Sequence, residues 1–125
     1  MAVTHPVAVR NSIVDGVVDQ LDLGSTNSTP RLVLNTSGDV EVATLNMSVT
    51  SFGSSSAGIA TAAAIADETN ATGGTTTKFR LTDRDNGIII EGSVGTSGTD
   101  IILSSIVIAA TDTVSMASLT YQGPA

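Results

Sequence analysis

The chain has 125 residues with no Cys, no Trp, one Tyr and two Phe, so a single domain with a core of Val, Ile, Leu and Ala is expected. Twelve acidic against five basic side chains leave a formal net charge of -7, which argues against nucleic acid or an anionic membrane as partner, since phosphate contacts need a basic face. The lack of cysteine excludes a disulfide framework and a thiolate metal site. The apolar runs fall far short of the roughly 18 residues that span a bilayer. The start, "MAVTHPVAVRNS", lacks the basic-then-apolar order of a secretory signal, so a soluble acidic protein is expected.

Residues 1–8 read as an extended arm, because Pro6 disfavours helix at the residue before it. From Val9 the apolar positions Val9, Ile13, Val17 and Leu21 recur every four residues beside Val14 and Val18, which predicts a short amphipathic helix over about 9–23. Asp15, Asp19, Gln20 and Asp22 then form its solvated face, and Gly24 is the stop, where positive φ is often needed. "STNSTP" is a polar linker.

Beyond it the period changes to two. "RLVL", "TSGD" and "VEVATLNMSV" read as strand, turn and strand with Val40, Val42 and Leu45 inward. "SFGSSSAG" is a loop. "IATAAAIA" (Ile59 to Ala66) suits helix or strand, and the bracketing Gly58 and "DETNATGG" favour strand. In "TTTKFRLTD", Thr77, Phe79 and Leu81 share one face while Lys78, Arg80 and Thr82 share the other. "GIIIEGSVG", "IILSSIVIAA" and "TVSMASLTYQ" complete a series of strands broken by Gly, Ser, Asn and Asp. Serine and threonine make up about a quarter of the residues, which also favours strands and turns. The expectation is a mainly-β fold, an antiparallel sandwich or jelly-roll-like domain over residues 9–125, with the short helix and the arm at its N-terminus.

The stretch Asp83 to Gly87 invites a test as a cation loop. An EF-hand needs oxygen ligands at its first, third and fifth positions, glycine at the sixth and glutamate at the twelfth. Counting from Asp83, Gly87 is fifth, Ile88 sixth and Glu91 ninth, so the spacing fails. Asn86-Gly87 between two strands instead signals a hairpin, with Phe79 and Leu81 pairing across it with Ile88 to Ile90. The single histidine, His5, cannot make a multi-histidine metal site, and no core histidine stands ready for a Ser-His-Asp arrangement. Asp67-Glu68 reads as solvated charge. "TGGTTTK" lacks phosphate-loop spacing, and the sequons at Asn27, Asn35, Asn46 and Asn70 are expected by chance in so Ser/Thr-rich a chain. No catalytic residue, no cofactor and no metal ligand is predicted.

The run from Phe52 to the C-terminus resembles small structural proteins of tailed bacteriophages of the capsid decoration, or cement, type. The matching positions are Phe52, Gly53, Gly58, Ala60, Ala64, Ile65, Gly74, Phe79, Arg80, Asp83, Gly87, Gly92, Val94, Gly95, Ser97, Gly98, Asp100 and Leu103, closing with Val114, Ser115, Ser118 and Pro124. The likeness covers about residues 9–125. It departs at "STNSTPRLVLNTSGDVEVA", which lacks the family's short glycine turn and tyrosine-bearing strand. The resemblance implies a non-enzymatic virion component, made in the host cytoplasm and placed on the capsid surface. Its implied partners are the major capsid protein and further copies of itself as a homo-oligomer, with no nucleic acid and no membrane. Ala2, Val3, Thr4, His5, Pro6 and Val7 are the candidate partner-contact arm, since such a segment can order on a neighbour. A tail or baseplate adhesion component is the alternative; it would require exposed aromatic rings among Phe52, Phe79 and Tyr121.

Overall fold

The computed structural model describes residues 4–122 and is mainly β with one N-terminal helix, as composition and periodicity predict. Helix α1 (Val7–Asp19) starts directly after Pro6, whose carbonyl accepts the N–H groups of Val9 and Arg10 at 3.0 Å. The expected arm of residues 1–8 is therefore too long, because Val7 and Ala8 are helical. Proline suits this entry, having no N–H to lose there and a φ of -57° close to the helical value. Ala2 and Val3 of the proposed arm lie outside the described residues.

A 3-10 turn (Gln20–Asp22) ends the helix, and Gly24 follows at φ +108°, the positive φ expected of a stop residue. The buried ridge is Val14, Val18 and Leu21, whereas Val9 is 42% exposed and Ile13 and Val17 are half-buried. The sequence offers two adjoining apolar stripes. Packing against the strand segments Ile59–Thr61 and Thr120–Gln122 selects the second.

The strands are β1 (Arg31–Asn35), β2 (Glu41–Asn46), β3 (Ile59–Thr61), β4 (Gly74–Thr75), β5 (Lys78–Thr82), β6 (Ile88–Gly95), β7 (Ile101–Ile102), β8 (Val107–Ile108) and β9 (Thr120–Gln122). Five form a sheet in the order β2-β1-β5-β6-β7, and β3-β9 and β4-β8 form two-stranded ribbons. Every pairing is antiparallel except β6 with β7, which is parallel through Val94↔Ile101 and Gly95↔Ile102.

The core is written in the register of the central strands. Leu32 pairs with Leu45 on one side and Leu81 on the other, and Leu34 pairs with Ala43 and Phe79. These six side chains are buried and join the helical ridge in one cluster. Phe79 faces Gly92, where an added Cβ would come within 2.3 Å of the Phe79 ring. Gly92 is the space the ring occupies.

Three strand expectations shift. Val40 is 62% exposed, because it closes the turn after Asp39 (φ 65°) and precedes β2, while Val42 and Leu45 are buried as expected. The run Ile59 to Ala66 is strand only to Thr61. Beyond it the chain is held by single backbone contacts, Ala63 N–H to Ser51 and Ala66 N–H to Asn46, both at 2.9 Å. The long C-terminal runs yield only β7, β8 and β9, separated by irregular serine-containing segments. Short polar side chains hydrogen-bond their own backbone there, as when the Ser105 hydroxyl donates to the Val107 carbonyl at 3.2 Å.

Candidate functional site

The loop Asp83 to Gly87 joins β5 to β6 and is longer than a two-residue Asn-Gly hairpin. Asn86 alone takes positive φ (67°), and the register closes at Thr82↔Ile88. Leu81 pairs with Ile90 as predicted, but Phe79 pairs with Gly92, beyond the Ile88 to Ile90 segment. The five-residue loop displaces the pairing, and a register irregularity between Leu81 and Thr82 absorbs the offset.

Every carboxylate of the loop is engaged by backbone. Asp83 Oδ1 accepts the N–H of Asp85 at 2.9 Å and of Gly87 at 2.7 Å. Asp85 Oδ1 accepts the N–H groups of Ser25 and Thr26, both at 3.0 Å. These two bonds, the Ser25 amide first, hold the Asp85 carboxyl below the ordinary value of 3.8. Glu91 is remote from this cluster and pairs with Arg80 at 3.3 Å, and Arg80 also reaches Asp39 at 3.1 Å. Among the described residues no group of three or more His, Asp or Glu side chains is placed to hold a metal ion.

The loop acts as a clasp on the linker between helix and sheet. Arg84 N–H donates to the Leu23 carbonyl at 3.0 Å and Asn27 N–H to the Arg84 carbonyl at 2.7 Å. Arg84 Nε donates to the Asn27 carbonyl at 2.9 Å, and Asn27 Nδ2 to Asn86 Oδ1 at 2.9 Å. Gly24 makes the close approach possible, since a Cβ there would lie 2.8 Å from the Asp85 carboxylate. The clasp joins residues about sixty positions apart, and only an unusually polar linker opposite an unusually polar loop could have hinted at it.

A second clasp corrects the solvated helix face. Asp15 accepts the Ser55 N–H at 2.9 Å, Asp22 the Ser51 N–H at 2.9 Å and Asn11 Oδ1 the Gly58 N–H at 2.8 Å. These side chains tie down the loop "SFGSSSAG", while Asp19 and Gln20 do face solvent. A shallow groove of about 330 Å³ lies beside them, lined by Asp15, Asp19, Thr50, Phe52, Gly53 and Ser54.

Of the arm candidates, Thr4 and Pro6 are exposed, His5 is half-buried and Val7 is 47% exposed on the first turn of α1. A groove of about 570 Å³ lies among the irregular C-terminal segments over Leu103, Ile108, Val114 and Met116. Among the described residues Asp112 is the one charged side chain lining it, and its carboxylate accepts the Ala109 N–H at 2.9 Å. Phe52 and Phe79 are buried and Tyr121 is half-buried opposite Ala60. Asn35, one of the four sequon asparagines, is only 2% exposed. Among the described residues no helix is long and apolar enough to cross a membrane.

Comparison of the chain with known protein families, curated proteins and solved structures finds no match.

Proposed function

We propose that this chain is a non-enzymatic bacteriophage capsid decoration protein. It binds the major capsid protein and further copies of itself on the head exterior, and it stabilises the shell by adding buried contact across subunit junctions. The observation that carries the proposal is the motif series from Phe52 onward, whose positions serve the fold. Gly58, Gly74 and Gly98 take positive φ, and Gly92 makes room for Phe79. A motif of turn and packing positions belongs to a protein valued for its shape.

Two further features support it. Of the side chains best suited to chemistry, Asp15, Asp22 and Asp85 accept backbone amides from distant segments and Asp83 accepts those of its own loop. Large apolar side chains stand exposed at Val7, Val49, Ile102 and Val107, at 47%, 62%, 63% and 68%. Such side chains are what an assembly covers. The alternative, a tail or baseplate adhesin that stacks sugars on aromatic rings, is less favoured because Phe52 and Phe79 are inside the core.

The test is addition of the purified protein to shells that lack it. Co-sedimentation with heads and a higher bursting temperature are expected. Labelling on tails, or binding with no gain in shell resistance, overturns the proposal.

A further inference from the structure

Asn86-Gly87 is the sole Asn-Gly step in the chain, and both residues are exposed. This dipeptide has its own reactivity. Glycine carries no side chain to shield its amide nitrogen, so that nitrogen can attack the Cγ of the preceding carboxamide. The new N–Cγ bond closes a succinimide, and the Cγ–Nδ2 bond breaks. The amide proton leaves with the departing ammonia. Water then opens the ring to aspartate or isoaspartate.

Here both reacting groups are held. The Gly87 N–H donates to Asp83 Oδ1 at 2.7 Å, and the Asn86 carboxamide oxygen accepts from Asn27 Nδ2 at 2.9 Å. Asn86 N–H is turned back onto the Asp83 carbonyl at 3.1 Å, and Asp83 N–H reaches the Gly87 carbonyl at 2.9 Å. To react, the Gly87 nitrogen and the Asn86 Cγ must come within bonding distance, a motion that these two anchoring contacts oppose.

We infer that Asn86-Gly87 is a latent deamidation site that the Asp83 carboxylate and the Asn27 amide hold unreactive in the folded chain. The inference is independent of the proposed function. Reaction is coupled to opening of the clasp: whatever frees the loop from residues 23–27 exposes the step. Conversion also disfavours reclosing of the clasp. The product adds a negative charge beside Asp83 and Asp85, and the isoaspartate form lengthens the main chain by a methylene inside a tightly bonded loop.

The experiment follows conversion at Asn86 in the full chain by peptide mapping and mass spectrometry during incubation in mildly alkaline buffer. Wild type is compared folded and unfolded in urea, and with folded Asp83→Ala and Asn27→Ala, whose folding is checked by circular dichroism. Folded wild type should stay intact while the unfolded chain converts. Loss of a hydrogen bond to a charged acceptor should speed conversion in folded Asp83→Ala by about tenfold. If Asp83→Ala does not fold, Asn27→Ala decides. Acceleration in either folded variant supports the lock. A wild-type rate equal to that of the unfolded chain, or no acceleration in any folded variant, overturns it.

Discussion

Asp83 and Asp85 are two positions apart and do different work. Asp83 shapes its own loop, whereas Asp85 reaches back to the linker at Ser25 and Thr26. Asp39, Asp85 and Asp100 all have carboxyls held below the ordinary value of 3.8, Asp39 chiefly by Lys78, Asp85 by the Ser25 amide and Asp100 by the Ser93 amide. A depressed folded pKa adds stability that is full above the unfolded value and fades as pH falls through the folded one. Thermal stability should therefore hold from neutral pH down to about the ordinary aspartate value and drop below it. Calorimetry across that range checks this, and Asp85→Ala should lower the neutral Tm and flatten the acid decline. Gly92→Ala places a methyl against the Phe79 ring, and overpacking of that kind should cost about 1–3 kcal/mol in urea unfolding.

For the elements, the helix shows where pattern reading stops. Its existence was legible, since Val14, Val18 and Leu21 lie on one face and Gly24 stands beyond the end. Which of two neighbouring stripes turns inward was not, because Val9-Ile13-Val17 satisfies the same period. Leu21→Ala should cost about 2–5 kcal/mol in urea unfolding, while Val9→Ala, on the exposed flank, should stay within about 0.5 kcal/mol. Strands β5 and β6 were legible because alternation is strict in "KFRLTD" and the loop is rich in turn residues. Strand β3 was overextended because alanine runs carry no period-two contrast. The parallel β6–β7 pair was missed, since nothing local distinguishes a parallel two-residue ladder from an antiparallel one.

For the whole molecule, polar clasps fasten the helix and its linker to the sheet and its loops. Asn11, Asp15 and Asp22 hold the loop of residues 51–58, and residues 83–86 hold residues 23–27. Under the proposed role, the exposed apolar side chains are the sites an assembly covers. Val7→Asp should weaken association with shells, read by co-sedimentation, and leave Tm nearly unchanged, because Val7 is 47% exposed and outside the core cluster. A variant that binds shells as wild type does would remove this part of the arm from the interface.

By itself the sequence determined the mainly-β class, the N-terminal helix, the stop at Gly24 and the burial of Val42, Leu45, Phe79 and Leu81, because these follow from period and turn chemistry within a few residues. Only the tertiary structure decided where the carboxylates point. Asp15 and Asp22 read as a solvated face and Asp85 as part of a hairpin turn, yet each accepts an amide from a segment some thirty to sixty residues away. A backbone donor has no sequence signature. Any residue but proline can supply one, so such partners become visible only when the fold brings the segments together.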